Sequence, residues 1–223
     1  MYDVATNFTK VKSQIPNNVK LVAISKYHPV EYIKAAYNLG QRAFGESHVQ
    51  ELNTKINELP NDIEWHFIGH LQTNKVKYIA PYIYMIQAVD SVKLMKEINK
   101  QATKNNRTIN ILLELHIAEE ETKYGFHLDE CREMLQSGIL SELNNIHVSG
   151  LMMMASNTEN KEKIKSEMLL AANFYKEVKE KYFKNDPTFS ECSWGMSHDY
   201  KIAIGCNSTM VRIGTAIFGP RVY

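Results

Sequence analysis

The chain is short of several things that would each have pointed elsewhere. It has three cysteines in 223 residues, Cys131, Cys192 and Cys206, with no C-x-x-C pair. That excludes a disulfide framework and a structural zinc site and points to a reducing compartment. It also has almost no net charge, with 26 Lys plus Arg against 25 Asp plus Glu and a formal balance of +1. There is therefore no basic field for tracking nucleic-acid phosphates and no polybasic patch for an anionic membrane. Long apolar runs are missing too. The nearest, Tyr78 to Ile86, is interrupted by Pro81 and falls well short of the ~18 residues of a membrane span. Asp3, Lys10 and Lys12 stand where a secretory signal needs continuous apolar residues. The expectation is a soluble, cytoplasmic protein with neither nucleic acid nor membrane as partner.

Low-complexity tracts, internal repeats and Pro/Gly/Ser linkers are absent as well, so residues 1–223 are read as one domain. What the chain does have is alternation of short β-branched or apolar runs with longer helical patterns, the signature of a parallel sheet covered by helices. Eight runs are expected as strands: Leu21 to Ser25, Arg42 to Gly45, Glu64 to Ile68, Ile83 to Ala88, Ile109 to Ile117, His147 to Met152, Phe189 to Trp194 and Met210 to Ile213. Eight closes a (β/α)8 barrel, and such barrels run to ~250 residues. In the longest helical pattern Ile164, Met168, Ala171, Tyr175, Val178 and Tyr182 share one face, with Lys163, Lys165, Glu167, Lys176 and Lys179 elsewhere. An open doubly wound sheet is the alternative, but no nucleotide-binding glycine fingerprint follows any strand.

In a barrel of this kind the reactive groups gather where strands end. Counting by twos along the first strand puts Val22, Ile24 and Lys26 on one face, Lys26 last. A lysine there either snorkels outward or, held in a dry mouth near another cation, loses proton affinity and serves as an amine nucleophile toward an aldehyde. Lys26 alone does not decide between them. The last two strand ends add Gly195 with Ser197 and Gly214 with Thr215, the parts from which barrels build phosphate sites after strands seven and eight. Closure sets strand eight beside strand one, so a phosphate at Gly214 and Thr215 lies close to Lys26. A Schiff-base lysine beside a phosphate cup describes a pyridoxal 5′-phosphate site. Arg212, two residues before Gly214 and on its face, is placed to reach the pyridine nitrogen. Asn74 follows strand three, where it either meets cofactor substituents or belongs with Gln72 and Thr73 to a helix N-cap. Thr73 is read as structural and Asn74 is left open. Met152, Met153 and Met154 are expected to line the barrel and its mouth, with no metal site, since no His or Cys is near in sequence.

At these residues the sequence resembles a known family. Ala23-Ile24-Ser25-Lys26, Phe44-Gly45-Glu46 with Val49-Gln50-Glu51, and His66 to Lys75 are similar to strings of the pyridoxal phosphate homeostasis proteins. So are Gly195-Met196-Ser197-His198-Asp199 and Ser208 to Gly219. The resemblance spans nearly the whole chain and implies a single alanine-racemase-type barrel. It also implies that Lys26 carries the cofactor as an internal aldimine, that Arg212 faces the pyridine nitrogen, and that Ser197, Gly214 and Thr215 help hold the phosphate. The implied role is intracellular pyridoxal phosphate homeostasis, as carrier or buffer without established catalysis. Apo enzymes that use the cofactor are the recipients to consider, and the chain is a monomer or weak dimer. Two departures stand out: Ser47-His48 replaces the family's asparagine and aromatic residue, and His70 stands where the family pattern is variable and is assigned nothing; Glu46, Ser47, His48 and Lys123 receive no role.

Enzymes are the rivals. The lysine and phosphate cup alone serve a Schiff-base aldolase as well, and a racemase or lyase of the same barrel family is the main alternative. A racemase needs groups on both faces of the α-carbon, and only Pro220 to Tyr223 follow Gly219, so its second domain is not expected. An arginine opposite the pyridine nitrogen also disfavours protonating the ring and weakens it as an electron sink.

Overall fold

Parallel strands joined by helices leave no exposed edge only when the last strand returns to the first, and this chain achieves that closure. The computed structural model describes residues 3–118 and 124–220. Strands β1 to β8 follow one another around the barrel in chain order, with β8 hydrogen-bonded to β1. Helix α1 (Val4–Lys12) precedes β1 (Lys20–Ile24), followed by α2 (Val30–Asn38), β2 (Ala43–Glu46), α3 (Val49–Lys55), β3 (Glu64–Phe67) and α4 (Val76–Ile79). Then come β4 (Met85–Val89), α5 (Val92–Lys104), β5 (Ile109–Leu115), α6 (Leu128–Gln136), β6 (Ile146–Met153) and α7 (Lys161–Tyr182). The chain continues with β7 (Glu191–Ser193), α8 (Tyr200–Gly205), β8 (Met210–Ile213) and α9 (Thr215–Phe218). The expected strands are all present, with ends shifted by a few residues. β7 is shorter than expected because Phe189 leaves the sheet to stack on Tyr175 and Phe183.

The two-residue period of each strand sorts its side chains into two cores. Leu21 and Ala23 of β1 and Val211 and Ile213 of β8 face the helices in the outer core. Val22, Ile24 and Met210 point inward with Ala43, Met85, Leu112 and Met152. Each fully buried aliphatic side chain contributes roughly 1.5–3 kcal/mol, so this sorting locks the register: a slip of one residue would exchange the two cores. Val22 pairs with Arg212 across the closing seam. The inner row of β8 therefore runs Met210, Arg212, Gly214 beside the row Lys20, Val22, Ile24, with Lys26 next beyond.

Helix α7 buries Ile164, Met168, Ala171 and Val178 as its spacing predicts, with Tyr175 and Tyr182 half-buried. Glu167 departs from the expected outward face. It is buried, and its carboxylate accepts hydrogen bonds from the Ser156 amide (2.7 Å) and hydroxyl (2.6 Å), tying down the loop after β6. A buried carboxylate that satisfies local backbone cannot be told from a solvated one by spacing.

In β6 the pairing with β5 skips Ser149, an inserted residue that bends the strand and brings Gly150 against β7. A Cβ on Gly150 would stand 1.9 Å from the Glu191 carbonyl oxygen. The obstacle is backbone, which cannot rotate away. Gly150→Ala is expected to destabilise the barrel by at least about 1–3 kcal/mol, the usual range for overpacking, read as a lower urea midpoint. A midpoint equal to that of the parent would show that β6 and β7 separate without cost.

Candidate functional site

The exit of β1 is held from beneath by charge. Tyr27, the residue after Lys26, has φ of 64°, a left-handed conformation that costs a non-glycine residue about 1–2 kcal/mol. Its amide donates to Glu51 Oε1 at 2.6 Å. Lys55 Nζ donates to the Ser25 carbonyl (2.8 Å), to Glu46 Oε1 (2.8 Å) and to Glu51 Oε1 (2.6 Å), and the Ser25 hydroxyl donates to Glu46 Oε1 at 2.7 Å. Both chain neighbours of Lys26 are thus fixed by one buried cluster from β2 and α3, and this clamp offsets the local strain. Glu46 and Lys55 are both buried. Local sequence pattern gives Glu46 no role and does not single out Lys55 as buried. The Glu51–Lys55 spacing of four on a helix is the signal that pairs them.

The exits of β7 and β8 interlock in the same way. Gly195 has φ of 95°, and a Cβ there would lie 2.5 Å from Ala203 Cβ, so the turn requires glycine. Its carbonyl accepts the Arg212 amide at 3.0 Å. Beyond it the Ser197 hydroxyl oxygen accepts from the Gly214 amide (3.2 Å) and the Ala216 amide (3.4 Å). Two backbone N–H groups at the β8 exit therefore converge on a single oxygen.

Between these exits lies a cavity of about 280 Å³ lined by Lys26, Ser197, Arg212, Gly214 and Thr215, with Ile24, Ile68, Met154 and Met196 supplying apolar walls. A wider groove, about 570 Å³, opens at the opposite end of the barrel. Two of its cations are already engaged, Lys20 with Glu64 at 3.8 Å and Arg42 with Asp62 at 2.9 Å, and barrel chemistry belongs to the C-terminal strand ends.

Arg212 sits almost wholly inside the barrel, 3% exposed. Its Nη1 donates to the Ser193 carbonyl and hydroxyl, both at 2.7 Å, and its Nη2 donates to the Met153 carbonyl at 2.9 Å. Burial pulls its pKa down to about 10, against the opposing pull of Asp199 and Glu114, so the guanidinium stays charged at neutral pH. Glu114 Oε2 is buried with no hydrogen-bond partner among the described residues. Burial first, then the charge of Asp90, pushes its carboxyl up to about 7, with Arg212 opposing.

Five of the six residues expected from the sequence thus meet at one cavity. Asn74 does not. It is exposed on the 3-10 turn Thr73–Lys75 after β3 and does not line the cavity. The residue at the cap position of that turn is Gln72, with no side-chain cap bond, so Thr73 is not a cap either. Ser47 and His48 lie on the rim, where His48 Nε2 meets the Tyr27 hydroxyl at 3.2 Å. Met152 lies in the inner core and Met154 lines the cavity as expected, whereas Met153 faces the helices. Among the described residues no group of three metal-ligating side chains occurs. Lys123 lies outside the described residues.

Comparison with known proteins agrees with the fold. Residues 2–222 match the family model of the alanine racemase N-terminal domain. The pyridoxal phosphate homeostasis protein of Aquifex aeolicus is 39% identical over 208 residues, 93% of this chain and 89% of that protein. The structure of PipY from Synechococcus elongatus PCC7942 with PLP bound superposes with a TM-score of 0.87 at 31% identity, covering 97% of this chain and all of that one. Alanine racemase from Streptomyces coelicolor A3(2) shares the barrel, with a TM-score of 0.77 at 14% identity over 97% of this chain and 57% of its own.

Two measurements probe the site's framework. Lys55→Met leaves Glu46 buried without its counter-charge and is expected to cost about 3–5 kcal/mol in urea unfolding of the apoprotein; a loss under about 1 kcal/mol would mean the clamp contributes nothing. Glu114 binds its proton more tightly folded than unfolded, so its contribution to stability is complete below pH 4.5 and is lost as pH rises through about 7. Glu114→Gln is therefore expected to gain stability relative to the parent by on the order of 2–3 kcal/mol between about pH 4.5 and 8. A pH-independent difference would place the carboxyl's pKa elsewhere.

Proposed function

The chain belongs to the pyridoxal phosphate homeostasis proteins, within the alanine racemase N-terminal-domain family, and on that footing we propose that it binds pyridoxal 5′-phosphate through Lys26 and serves as an intracellular carrier or buffer of the cofactor. The observation that carries this reading is the cavity itself. An amine at one strand end, a buried guanidinium, and two amides aimed at one oxygen all meet within about 280 Å³. That donor set fits a phosphorylated pyridine aldehyde. The Ser197 hydroxyl marks where a phosphate oxygen would take up the Gly214 and Ala216 N–H groups, and Thr215 adds a hydroxyl at the same turn. Lys26 faces this cup across the β1–β8 seam and supplies the covalent attachment. Ile24, Ile68, Met154 and Met196 exclude water around the ring.

Arg212 decides the character of the site. Bound pyridoxal phosphate supplies an electron sink whose strength depends on protonation of its ring nitrogen. A guanidinium can only donate, so at the ring nitrogen it satisfies the lone pair without delivering a proton. Two positive groups, Lys26 and Arg212, complement an anionic ligand and make retention strong while leaving the sink weak. Holding and release are then the function, with apo enzymes that need the cofactor as the recipients.

The purified protein is expected to be yellow, with a band near roughly 420 nm, and borohydride is expected to trap the cofactor on Lys26. Lys26→Ala should abolish trapping while leaving the fold intact. Protein that takes up no added pyridoxal phosphate, or trapping on another lysine, overturns the binding reading. Holoprotein incubated with amino acids in deuterated water should show no sustained α-proton exchange, and multiple turnovers would make it an enzyme.

A further inference from the structure

The inner core of the barrel contains a line of polar groups that the cofactor site does not use directly. Ser193 on β7, Gln87 on β4 and His66 on β3 are all fully buried. The Ser193 hydroxyl is 2.7 Å from Arg212 Nη1 and 2.7 Å from Gln87 Oε1, and the Gln87 amide nitrogen is 2.8 Å from His66 Nδ1 and 3.1 Å from Met210 Sδ. Arginine forces the direction of this line because it has no acceptor. Ser193 Oγ accepts from Arg212, so its one proton goes to Gln87 Oε1. The Gln87 NH2 group then faces His66 Nδ1 and the Met210 thioether. The reverse amide orientation would set the carbonyl oxygen against the Met210 thioether, acceptor to acceptor, and turn the NH2 group toward Ser193, whose hydroxyl proton would then lose its acceptor. His66 Nδ1 must accept, which puts the imidazole proton on Nε2, a buried atom with no hydrogen-bond partner among the described residues.

An unpartnered buried N–H costs about 1–3 kcal/mol, so the arrangement is not there for stability alone. Its other end is Arg212 at the cavity. Three of the guanidinium's five N–H groups are taken by Ser193 and the Met153 carbonyl, which leaves the remaining edge to the ligand. We propose that Ser193, Gln87 and His66 are positioning residues for the cofactor ring, a one-way hydrogen-bond chain that locks the Arg212 guanidinium in one rotation against the cavity. Burial keeps His66 neutral, its pKa held down to about 3 by desolvation and, more weakly, by Lys20, so the chain does not reverse in the physiological range.

The chain's direction is testable without ligand, and its purpose rests on the pyridoxal phosphate reading above. Long-range 1H–15N spectra of the protein should show His66 with Nδ1 unprotonated and Nε2 protonated, unchanged between about pH 5.5 and 8. A proton on Nδ1, or titration in that range, overturns the chain. Gln87→Leu is expected to weaken pyridoxal phosphate binding about tenfold and to shift the band near roughly 420 nm, while borohydride still traps on Lys26. Unchanged affinity and band overturn the positioning role. Should that variant not fold, Ser193→Ala removes only the hydroxyl that joins Arg212 to Gln87 and keeps the Ser193 carbonyl contact; it is expected to weaken binding and shift the band in the same way, and unchanged affinity and band overturn the positioning role. A parent protein that binds no cofactor would refute the proposed function and leave the tautomer result standing.

Discussion

Pairing of β8 with β1 is the constraint on which the site depends. Lys20, Leu21, Val22 and Ala23 take Met210, Val211, Arg212 and Ile213 as partners across the seam, although nearly the whole chain separates them. Once that register is set, alternation decides everything above it. Val22 and Arg212 face inward side by side, and two residues further Ile24 stands against Gly214, where a Cβ would come within 3.1 Å of the Ile24 carbonyl oxygen. Another two residues on, Lys26 emerges over the amides of the β8 exit. No loop needs to fold back to bring an amine to an oxyanion cup; closing the sheet does it. Rigid strand ends also hold such groups more closely than free loops would.

Closure carries a cost, because polar groups must then live inside a barrel otherwise filled by Val22, Ile24, Met85, Leu112, Met152 and Met210. A buried guanidinium is tolerable only when its donors are met. Carbonyls of Ser193 and Met153, at the ends of the neighbouring strands β7 and β6, meet them. The negative charge near Arg212 comes from Asp199 and Glu114, and with Glu114's pKa near 7 that balance is partial at neutral pH. An anionic ligand in the cavity would therefore find an undercompensated cation, which is a sound physical basis for affinity from a chain with almost no net charge.

The sequence showed the strands, their number and the cavity residues because those follow from local pattern and chain order. Apolar runs of period two mark strands wherever they fall, eight of them imply closure, and closure implies that residues at the ends of β1, β7 and β8 meet. Lys26, Ser197, Arg212, Gly214 and Thr215 were legible for that reason. Asn74 was not, because its direction depends on the 3-10 turn at Thr73–Lys75, whose pitch differs from that of the helix its pattern suggests. Glu167 falls off the apolar face by spacing, and nothing in the local pattern singles out Lys55 as buried. A carboxylate or ammonium buried on a helix looks like a solvated one until its partners, here Ser156 for Glu167 and Ser25 and Glu46 for Lys55, arrive from elsewhere in the fold.

Lys55 also bears on why the proposed attachment of an aldehyde falls to one lysine and not another. Two amines stand near the β1 exit, and proximity alone would let either react. The Lys55 Nζ donates to three oxygens, two of them on carboxylates, so its three donor positions are all taken. Lys26 lines the cavity together with Arg212. The same cluster that fixes the backbone on either side of Lys26 thereby holds the second amine beneath the β1 exit, and the lysine that lines the cavity is the one to which the proposed cofactor attachment is assigned.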